Sequence, residues 1–255
     1  MLINCDMGEG FGLWELGQDQ IIMPFIDMAN IACGMHASDP SVMQRTVRCA
    51  KEHGVRIGAH PGYADLQGFG RRFIEMPLAE LQALFIYQLG ALSAICESEN
   101  TQLSYVKPHG ALYNAMMKSD DIYIALLQAL AKYNANLPLM IMAVPDYRRY
   151  QKMADEYNVN LLFEAFVDRS YQSDGRLTPR NQPGACHNDL ETICEQAIRL
   201  IKKQNVISLD GKEVSIKADT LCIHGDGKLA VAVAEALKER LAPVIAEALK
   251  TRLSA

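Results

Sequence analysis

Six short polar clusters, each following an apolar run, hold most of the residues in this chain that could do acid–base or metal chemistry. Each cluster contains Asp, Glu, His, Lys or Asn, and all but the one at 164–169 also contain Gly or Pro. They occupy residues 4–9, 30–36, 58–62, 107–110, 164–169 and 224–226. Parallel strands that each deliver polar groups to one mouth give this pattern, as at the C-terminal face of an α/β barrel. The sequence therefore indicates an enzyme.

Three kinds of chemistry fit these residue types. The first is general acid–base catalysis by Asp6, His60, His109, His224 and Asp226, with Lys107 stabilising developing negative charge. A divalent metal that activates water is the second possibility, and its candidate ligands are Asp6, His60, His109, His224 and Asp226. The chain has no His-Glu-x-x-His, and strand-end ligands have no diagnostic spacing, so the presence of a metal stays open. A cysteine nucleophile at Cys5 or Cys33 is the third, and strand alternation turns Cys5 away from Asp6.

Two other types of site find little support in the motifs. A serine hydrolase is not favoured, because the chain has no Gly-x-Ser-x-Gly elbow. No Gly-x-x-x-x-Gly-Lys-Ser/Thr loop for nucleotide phosphates is present either. The run Gly68-Phe69-Gly70-Arg71-Arg72 could contact a phosphoryl group through backbone N–H groups and guanidinium forks.

Composition favours one soluble, cytoplasmic domain. The 255 residues suit a single α/β barrel, and no linker or repeat divides them. The net charge of −5 makes nucleic acid an unexpected partner. No apolar stretch approaches the roughly 20 residues that span a bilayer, and the first residues enter a strand without a leader. Seven cysteines without a Cys-x-x-Cys pair argue against a disulfide framework and a structural zinc site, and Cys49, Cys96 and Cys194 are expected to be ordinary buried thiols.

Seven β-rich runs alternate with mostly helical patterns. The runs cover residues 2–4, 29–33, 56–60, 104–108, 139–144, 160–166 and 220–224. Because strand side chains alternate, one parity places Asn4 with Asp6, Gly58 with His60, Tyr105 with Lys107, Glu164 with Asp168, and His224 with Asp226. We expect this parity to face the barrel lumen, with Lys107 ending at the mouth.

Helix and turn signals predict the surrounding elements. Ser38-Asp39-Pro40 predicts a helix start, a long helix is expected from Pro77, and Asn188 with Glu191 has capping-box spacing. Asp210-Gly211 predicts a type I′ hairpin turn between residues 206–209 and 213–216. The aperiodic stretches 61–76 and 168–187 are long enough to indicate binding loops.

Taken in order, the motifs resemble the LamB/YcsF family essentially from end to end. The matching segments are Asn4-Cys5-Asp6-x-Gly8-Glu9, Ala29-Asn30-Ile31-Ala32-Cys33-Gly34-x-His36-Ala37, Gly58-Ala59-His60-Pro61-Gly62-Tyr63, Gly68-Phe69-Gly70-Arg71-Arg72, Val106-Lys107-Pro108-His109-Gly110-Ala111-Leu112-Tyr113-Asn114 and Leu221-Cys222-Ile223-His224-Gly225-Asp226. The resemblance implies a distorted, seven-stranded β/α barrel of the glycoside hydrolase/deacetylase type.

The resemblance also implies an activity: ATP-dependent opening of 5-oxoproline to L-glutamate as the A component of a 5-oxoprolinase, with the B and C components as partners. ATP is then a cosubstrate, and this chain is expected to open the ring. The implied catalytic residues are Asp6, His60, Lys107, His109 and Asp226. The implied substrate-binding residues are Asn4, Glu9, Asn30, His36, Arg71, Asn114, Glu164, Arg169, Arg180 and His224.

Two alternatives remain open at the level of sequence. A metal-dependent deacetylase on the same barrel would need a bound ion but neither ATP nor partners. A non-catalytic protein that only binds substrate would tolerate loss of Asp6 or His60 in turnover, but not loss of the arginines.

Overall fold

The computed structural model describes residues 1–225 and 229–240, and seven of its strands form a closed parallel barrel. The strands are β1 (Leu2–Met7), β2 (Met28–Ala32), β3 (Arg56–His60), β4 (Leu103–Val106), β5 (Leu139–Met142), β6 (Leu161–Phe166), β7 (Asn205–Ile207), β8 (Glu213–Ser215) and β9 (Thr220–Ile223). The barrel follows the order β1-β2-β3-β4-β5-β6-β9, with β9 pairing back onto β1. The predicted seven-stranded β/α barrel is confirmed, and each predicted run overlaps its strand.

Helices cover the outside of the barrel. Within the described residues they are α1 (Asp19–Ile22), a 3-10 helix (Met23–Phe25), α2 (Pro40–Glu52), α3 (Leu78–Ser98), α4 (Gly110–Met116), α5 (Asp120–Asn134), α6 (Tyr147–Asp155), α7 (Leu190–Lys203) and α8 (230–240). The predicted start of α2 is confirmed, because Asp39 accepts hydrogen bonds from the N–H groups of Ser41 and Val42, and Pro40 is the first helical residue.

The long helix α3 is the most apolar outer element. Its length and composition alone would let it cross a membrane. In the fold, however, Leu81, Phe85, Leu89 and Leu92 form a stripe that is buried in the main core. A stripe at this spacing is what an amphipathic helix buries against a barrel.

Two local predictions were wrong in detail. The residue that caps α7 is Asp189, whose side chain accepts from the Thr192 N–H, and not Asn188. The hairpin of β7 and β8 exists, but its loop is longer than two residues, since Ile207 pairs with Glu213. Only Gly211 of the Asp210-Gly211 pair has a positive φ, whereas a type I′ turn needs two.

Strand register explains how the lumen is filled. Asp6 pairs with Asn30, Asn30 with Gly58, and Gly58 with Tyr105, so these four residues form one row across β1 to β4. A Cβ on Gly58 would come within 2.2 Å of the Tyr105 ring, and only glycine leaves room for that ring. Tyr105 packs with Met28 and Met140 in a small apolar cluster. Polar groups therefore collect above this cluster, toward the carboxyl ends of the strands.

Candidate active site

A cavity of about 1000 Å³ opens at the carboxyl ends of the barrel strands. The acidic and histidine groups that line it are Asp6, Glu9, His60, His109 and His224, and the basic groups are Arg71, Lys107, Lys118, Arg169, Arg176 and Arg180. Among the described residues, five of the six polar clusters contribute side chains to the cavity lining, and His36 of the sixth cluster stacks on His109. Asp226, one of the proposed catalytic residues, lies outside the described residues.

A continuous hydrogen-bond network lies below the cavity. The Asn30 amide donates to Asn4 Oδ1 at 2.8 Å and to Asp6 Oδ1 at 2.7 Å. Tyr105 donates its hydroxyl to Asn30 Oδ1 at 2.6 Å, and Asn4 donates to the Thr220 hydroxyl at 3.1 Å. Asn4 and Asn30 are fully buried, so they serve to orient Asp6 from below and do not face the cavity.

Lys107 lies deeper than the sequence suggests, with only 3% of its surface exposed. Its ammonium group is 2.8 Å from Asp6 Oδ1, 3.2 Å from Glu164 Oε2 and 3.2 Å from Cys222 Sγ. Burial opposes the charged form, but the neighbouring Asp6, Cys222 and Glu164 outweigh it and raise the pKa of Lys107 well above its usual value. Lys107 is therefore a fixed cation at neutral pH.

Asp6 is the matching anion of this pair. Burial favours its protonated form, but His60 and Lys107 outweigh burial and hold the pKa of Asp6 well below its usual range. Lys107 and Asn30 both bind Oδ1, whereas Oδ2 lies 3.4 Å from His60 Nε2. Asp6 thus presents an ionised oxygen next to the histidines.

Three histidines meet beside Asp6. His60 Nδ1 is 2.7 Å from the carbonyl oxygen of Lys107, and His109 Nε2 is 2.8 Å from that of Phe69. A carbonyl only accepts, so both ring nitrogens carry a proton and donate it. The other nitrogens, His60 Nε2 and His109 Nδ1, then face each other at 3.0 Å.

His36 completes the group by stacking flat on His109, with ring centroids 3.7 Å apart and planes 3° from parallel. Its Nε2 is 3.3 Å from Glu9 Oε1, and the same oxygen is 3.4 Å from His109 Nδ1. Burial lowers the pKa of His36 and of His109 well below the usual value, and the neighbouring histidines lower it further. Glu9, His36, His60 and His109 together form a cluster whose ligand atoms all lie within 4.8 Å of one another.

Two glycines hold the loop over His109. Gly70 and Gly110 both have positive φ, and the Ala111 N–H donates to the Gly70 carbonyl at 2.9 Å. A Cβ on Gly110 would lie 2.6 Å from that carbonyl oxygen, so only glycine allows the approach. This contact places the Phe69 carbonyl where it orients the His109 ring. The Gly68–Arg72 run therefore has a structural task, and Arg72 itself pairs with Asp65.

The basic side chains around the cavity divide into two groups. Arg169 is buried, and its guanidinium donates to the carbonyls of Ala185 and Thr178, which ties the 168–187 loop together. Arg71, Lys118, Arg176 and Arg180 line the cavity more openly. Asn114 lies on the rim, exposed, and donates to the Gly110 carbonyl. That Arg71, Arg169 and Arg180 hold a substrate anion stays a prediction.

His224 pairs with the 168–187 loop. Its Nδ1 is 2.6 Å from Asp168 Oδ2, and its Nε2 is 2.9 Å from Arg180 Nη2. Burial opposes the charged ring, but Asp168 outweighs it and raises the pKa of His224. Arg180 favours the neutral form of His224, because a guanidinium only donates hydrogen bonds and therefore needs an unprotonated Nε2 as its acceptor. Protonation of His224 must therefore displace Arg180.

We expect Asp168→Asn to lower the pKa of His224 and Arg180→Gln to raise it, as followed by NMR titration of the ring protons. His224→Gln assigns the signal. Since the folded pKa of His224 is raised and that of Asp168 is lowered, the ion pair stabilises the fold most between about pH 3.9 and 6.5. This stability is lost as the pH rises through the His224 pKa or falls through the Asp168 pKa. If the pKa of His224 were unchanged in both variants, Asp168 and Arg180 would not control its protonation.

The cysteines do not support a thiol nucleophile. All seven are free, and burial raises the pKa of Cys5 well above its usual value and that of Cys33 to about 12. A thiol with a raised pKa is a poor nucleophile at neutral pH. Cys96 and Cys194 are buried as expected, whereas Cys49 is partly exposed.

Sequence reasoning missed several residues of the site. Cys222 and Tyr113 lie next to Lys107 and Glu164, respectively, and Glu164 together with burial raises the pKa of Tyr113. Lys118 and Arg176 also line the cavity. Cys222 could have been found, because it shares strand parity with His224. Lys118 carries no such signal, since it follows no strand end, whereas Arg176 lies in the 168–187 stretch that was expected to be a binding loop.

Comparison with known proteins gives consistent matches over nearly the whole chain. The sequence profile described as LamB/YcsF family matches residues 1–252. The A component of the 5-oxoprolinase from Vibrio campbellii is 50% identical over 241 residues, which covers 94% of this chain and 95% of that one. Its namesake from Pseudomonas fluorescens is 51% identical over 247 residues, covering 95% and 99%. The crystal structure of a lactam utilization protein from Thermus thermophilus has a TM-score of 0.88 at 40% identity and covers 94% of this chain and 95% of that chain.

Proposed function

Because the chain belongs to the LamB/YcsF family, we propose that it is the A component of an ATP-dependent 5-oxoprolinase. The enzyme opens 5-oxoproline, a cyclic amide, to L-glutamate with hydrolysis of ATP to ADP and phosphate. The observation that carries the proposal is the Asp6, Lys107, His60 and His109 group at the barrel mouth, in a chain about 50% identical to relatives with this name.

The chemistry explains why ATP is needed. An unactivated lactam resists water at neutral pH, because its amide nitrogen is a poor leaving group. Transfer of a phosphoryl group from ATP to the carbonyl oxygen releases ADP and makes the ring carbon more electrophilic, so that water can add to it. The C–N bond then breaks as the nitrogen takes up a proton, and a second water hydrolyses the resulting acyl phosphate to the carboxylate of glutamate and free phosphate. The site must therefore accept a proton from water and stabilise the negative charge that develops on the oxygens of the attacked carbon. It must also hold an anionic substrate.

The described residues can take these roles. Asp6 or His60 accepts the proton from the attacking water, since Asp6 Oδ2 and His60 Nε2 lie together beside the cavity. Lys107 remains protonated and stabilises the developing negative charge. His109 is held neutral against His60 in the cavity wall and orients that ring. Glu164 sits beneath Lys107 and keeps the ammonium group in place.

The size and charge of the cavity support an anionic substrate larger than the lactam alone. Its volume of about 1000 Å³ lies at the upper end of the roughly 300–1,000 Å³ typical of small-molecule sites. Arg71, Arg176, Arg180 and Lys118 surround it, and such groups bind carboxylate and phosphate. We assign the carboxylate of 5-oxoproline and the transferred phosphoryl group to this basic side.

The proposal includes partners and a compartment. The relatives are named as one lettered component of an enzyme, which implies a complex of several different chains. We propose that the B and C components bind ATP, because this chain has no P-loop motif. Seven free cysteines and the need for ATP fit the reducing cytoplasm.

Reconstitution tests the proposal directly. The purified chain alone is expected neither to hydrolyse ATP rapidly nor to open 5-oxoproline, while its mixture with the B and C components does both. Glutamate and phosphate release are measured side by side, and the mixture of B and C without this chain is the control. Rapid ATP-dependent glutamate formation by the isolated chain would contradict the division of labour.

A metal-dependent deacetylase is the second candidate, because Glu9, His36, His60 and His109 converge as metal-binding groups do. It predicts release of acetate from acetylated sugars or peptides by the isolated chain, without ATP. Acetate release by the isolated chain, together with no glutamate formation by its mixture with the B and C components, would favour the deacetylase over the 5-oxoprolinase.

A further inference from the structure

We propose that the barrel mouth binds one divalent metal ion through His60 Nε2, His109 Nδ1 and Glu9 Oε1, with His36 as a positioning residue and not a ligand. The inference concerns the mouth of the proposed function but does not depend on that reaction, because binding can be measured on the isolated chain without turnover.

His60 Nε2 and His109 Nδ1 face each other without a hydrogen atom between them when both rings are neutral. The Lys107 and Phe69 carbonyls fix the protons of His60 on Nδ1 and of His109 on Nε2. In their neutral forms, both rings then point lone pairs at each other across 3.0 Å. Two lone pairs at this distance repel, and either a metal ion bound by both nitrogens or a proton shared between them removes the repulsion.

The hydrogen bonds of His60 and His109 match those of metal-binding histidines. A histidine ligand usually donates its other N–H to a backbone carbonyl or a carboxylate, which fixes its tautomer and orientation. His60 and His109 both do this, through carbonyls that come from the end of β4 and from the 61–76 loop. Neither contact is needed for a histidine that only packs.

The distances between the candidate ligand atoms also fit a bound metal ion. Ligand atoms around an ion with bonds of about 2.0–2.1 Å are roughly 3.0–3.4 Å apart. The separations are 3.0 Å between His60 Nε2 and His109 Nδ1 and 3.4 Å between His109 Nδ1 and Glu9 Oε1. The third edge, between His60 and Glu9, lies within 4.8 Å. The carboxylate oxygen thus lies close enough to the two nitrogens for one ion to reach all three atoms after a small adjustment.

Ring geometry excludes His36 as a further ligand. An imidazole binds a metal in its ring plane, and the His36 and His109 planes are parallel with centroids 3.7 Å apart. An ion about 2.1 Å from both nitrogens would lie far outside at least one plane. His60, by contrast, is nearly perpendicular to His109, at 86°. His36 Nε2 instead faces Glu9 Oε1 and orients it, and its buried Nδ1 has no hydrogen-bond partner within residues 1–225 and 229–240.

Two imidazoles and one carboxylate suit zinc or a similar first-row ion. Three protein ligands are also typical of zinc sites that keep one position open for water or substrate. Binding at His60 would leave Asp6, rather than His60, to accept the proton in the proposed reaction.

The test uses the full chain, stripped with a chelator and titrated with Zn²⁺ by calorimetry and with Co²⁺ by visible absorption. We expect one ion per chain. His60→Gln, His109→Gln and the conservative Glu9→Gln should each weaken Zn²⁺ binding by more than about 100-fold and alter the Co²⁺ spectrum. His36→Phe, which keeps the stack, should retain one ion and the spectrum, with a loss of at most about 10–100-fold in affinity.

Controls separate this site from surface binding and from unfolding. His53→Ala removes the exposed histidine beside Cys49, a pair that could bind zinc adventitiously. Melting curves of each variant show whether it is folded, and Glu9→Gln is the least disruptive of the three. The proposal is overturned if the His53→Ala variant, in which Glu9, His60 and His109 are intact, binds no ion. It is also overturned if His36→Phe abolishes the Co²⁺ spectrum as fully as His109→Gln does, or if NMR shows a proton shared by His60 and His109 in excess Zn²⁺.

Discussion

Asp6→Asn is expected to lower glutamate formation by the reconstituted enzyme by about 10²–10⁴-fold, the usual contribution of a general base. The amide oxygen can still accept from Lys107 and Asn30, as Oδ1 does now. The new amide nitrogen can donate to His60 Nε2, which lies 3.4 Å from Asp6 Oδ2. The hydrogen bonds can therefore be kept, but the lowered pKa of Asp6 means that its charge stabilises the fold at neutral pH, so we expect a small fall in melting temperature.

His60→Gln should have a comparable effect on turnover, with a similarly small change in stability. A matched control is Asp19→Asn, which also removes a carboxylate near the carboxyl end of β1. Burial raises the pKa of Asp19 to about 6, and its Oδ2 accepts the Gly8 N–H, but it does not line the cavity. We expect this variant to keep near-normal turnover.

Paired melting and turnover measurements distinguish a catalytic site from a structural network. Breaking a buried structural ion pair typically costs about 3–5 kcal/mol. If Asp6→Asn melted much earlier but its folded fraction turned over normally, Asp6 would be part of the scaffold. Normal turnover together with normal stability would make a purely substrate-binding role the better description.

Lys107→Met is expected to reduce turnover by roughly 10²-fold or more, the effect of losing one group that stabilises an oxyanion. In contrast to what its place at a strand end suggests, it should also destabilise the fold. Glu164 is fully buried and lies 3.2 Å from the Lys107 ammonium group. Leaving its charge unpaired costs about 3–5 kcal/mol, or a fall of roughly 6–20 °C in melting temperature for a chain of this size.

A double variant separates the two effects of Lys107. Lys107→Met with Glu164→Gln removes both charges of the pair, so most of the stability should return while turnover stays low. Glu164→Gln alone leaves Lys107 paired with Asp6 and should cost less in both measurements. Near-normal turnover of Lys107→Met in the reconstituted enzyme would reduce Lys107 to a structural cation.

The sequence alone was sufficient for the architecture and for the strand ends at which the polar side chains gather. Seven β-rich runs predicted the barrel, because parallel strands buried on both faces read as short apolar runs. Strand parity predicted that Asn4, Asp6, His60 and Lys107 share the lumen, since side chains alternate with a period of two. The same local rules predicted the Asp39 cap of α2.

Local signals were weaker where two adjacent residues could play one role. Asn188 and Asp189 are both good helix caps, and the final choice depends on how α7 docks. Asp210-Gly211 favours a two-residue turn, but the pairing of Val206 with Val214 sets a longer loop. In both places the packing of a whole element outweighs a small local preference.

Only the tertiary structure decided which of the polar groups touch. Parity gives a face, but the distance between His60 and His109, and the stacking of His36 on His109, depend on barrel closure and on the 61–76 loop. The Phe69 carbonyl that fixes the His109 tautomer is a backbone group and has no signature in the sequence.

The same holds for charge. Lys107 lies between Asp6 and Glu164, which are 101 and 57 positions away along the chain, and this makes it a buried cation and not a solvated strand end. Arg169 binds loop carbonyls, whereas Arg180 reaches His224. Residue types thus determined which chemistry is available. The folding of distant segments against one another determined which residues pair to perform it, because pKa values and ligand geometry depend on contacts within a few ångströms.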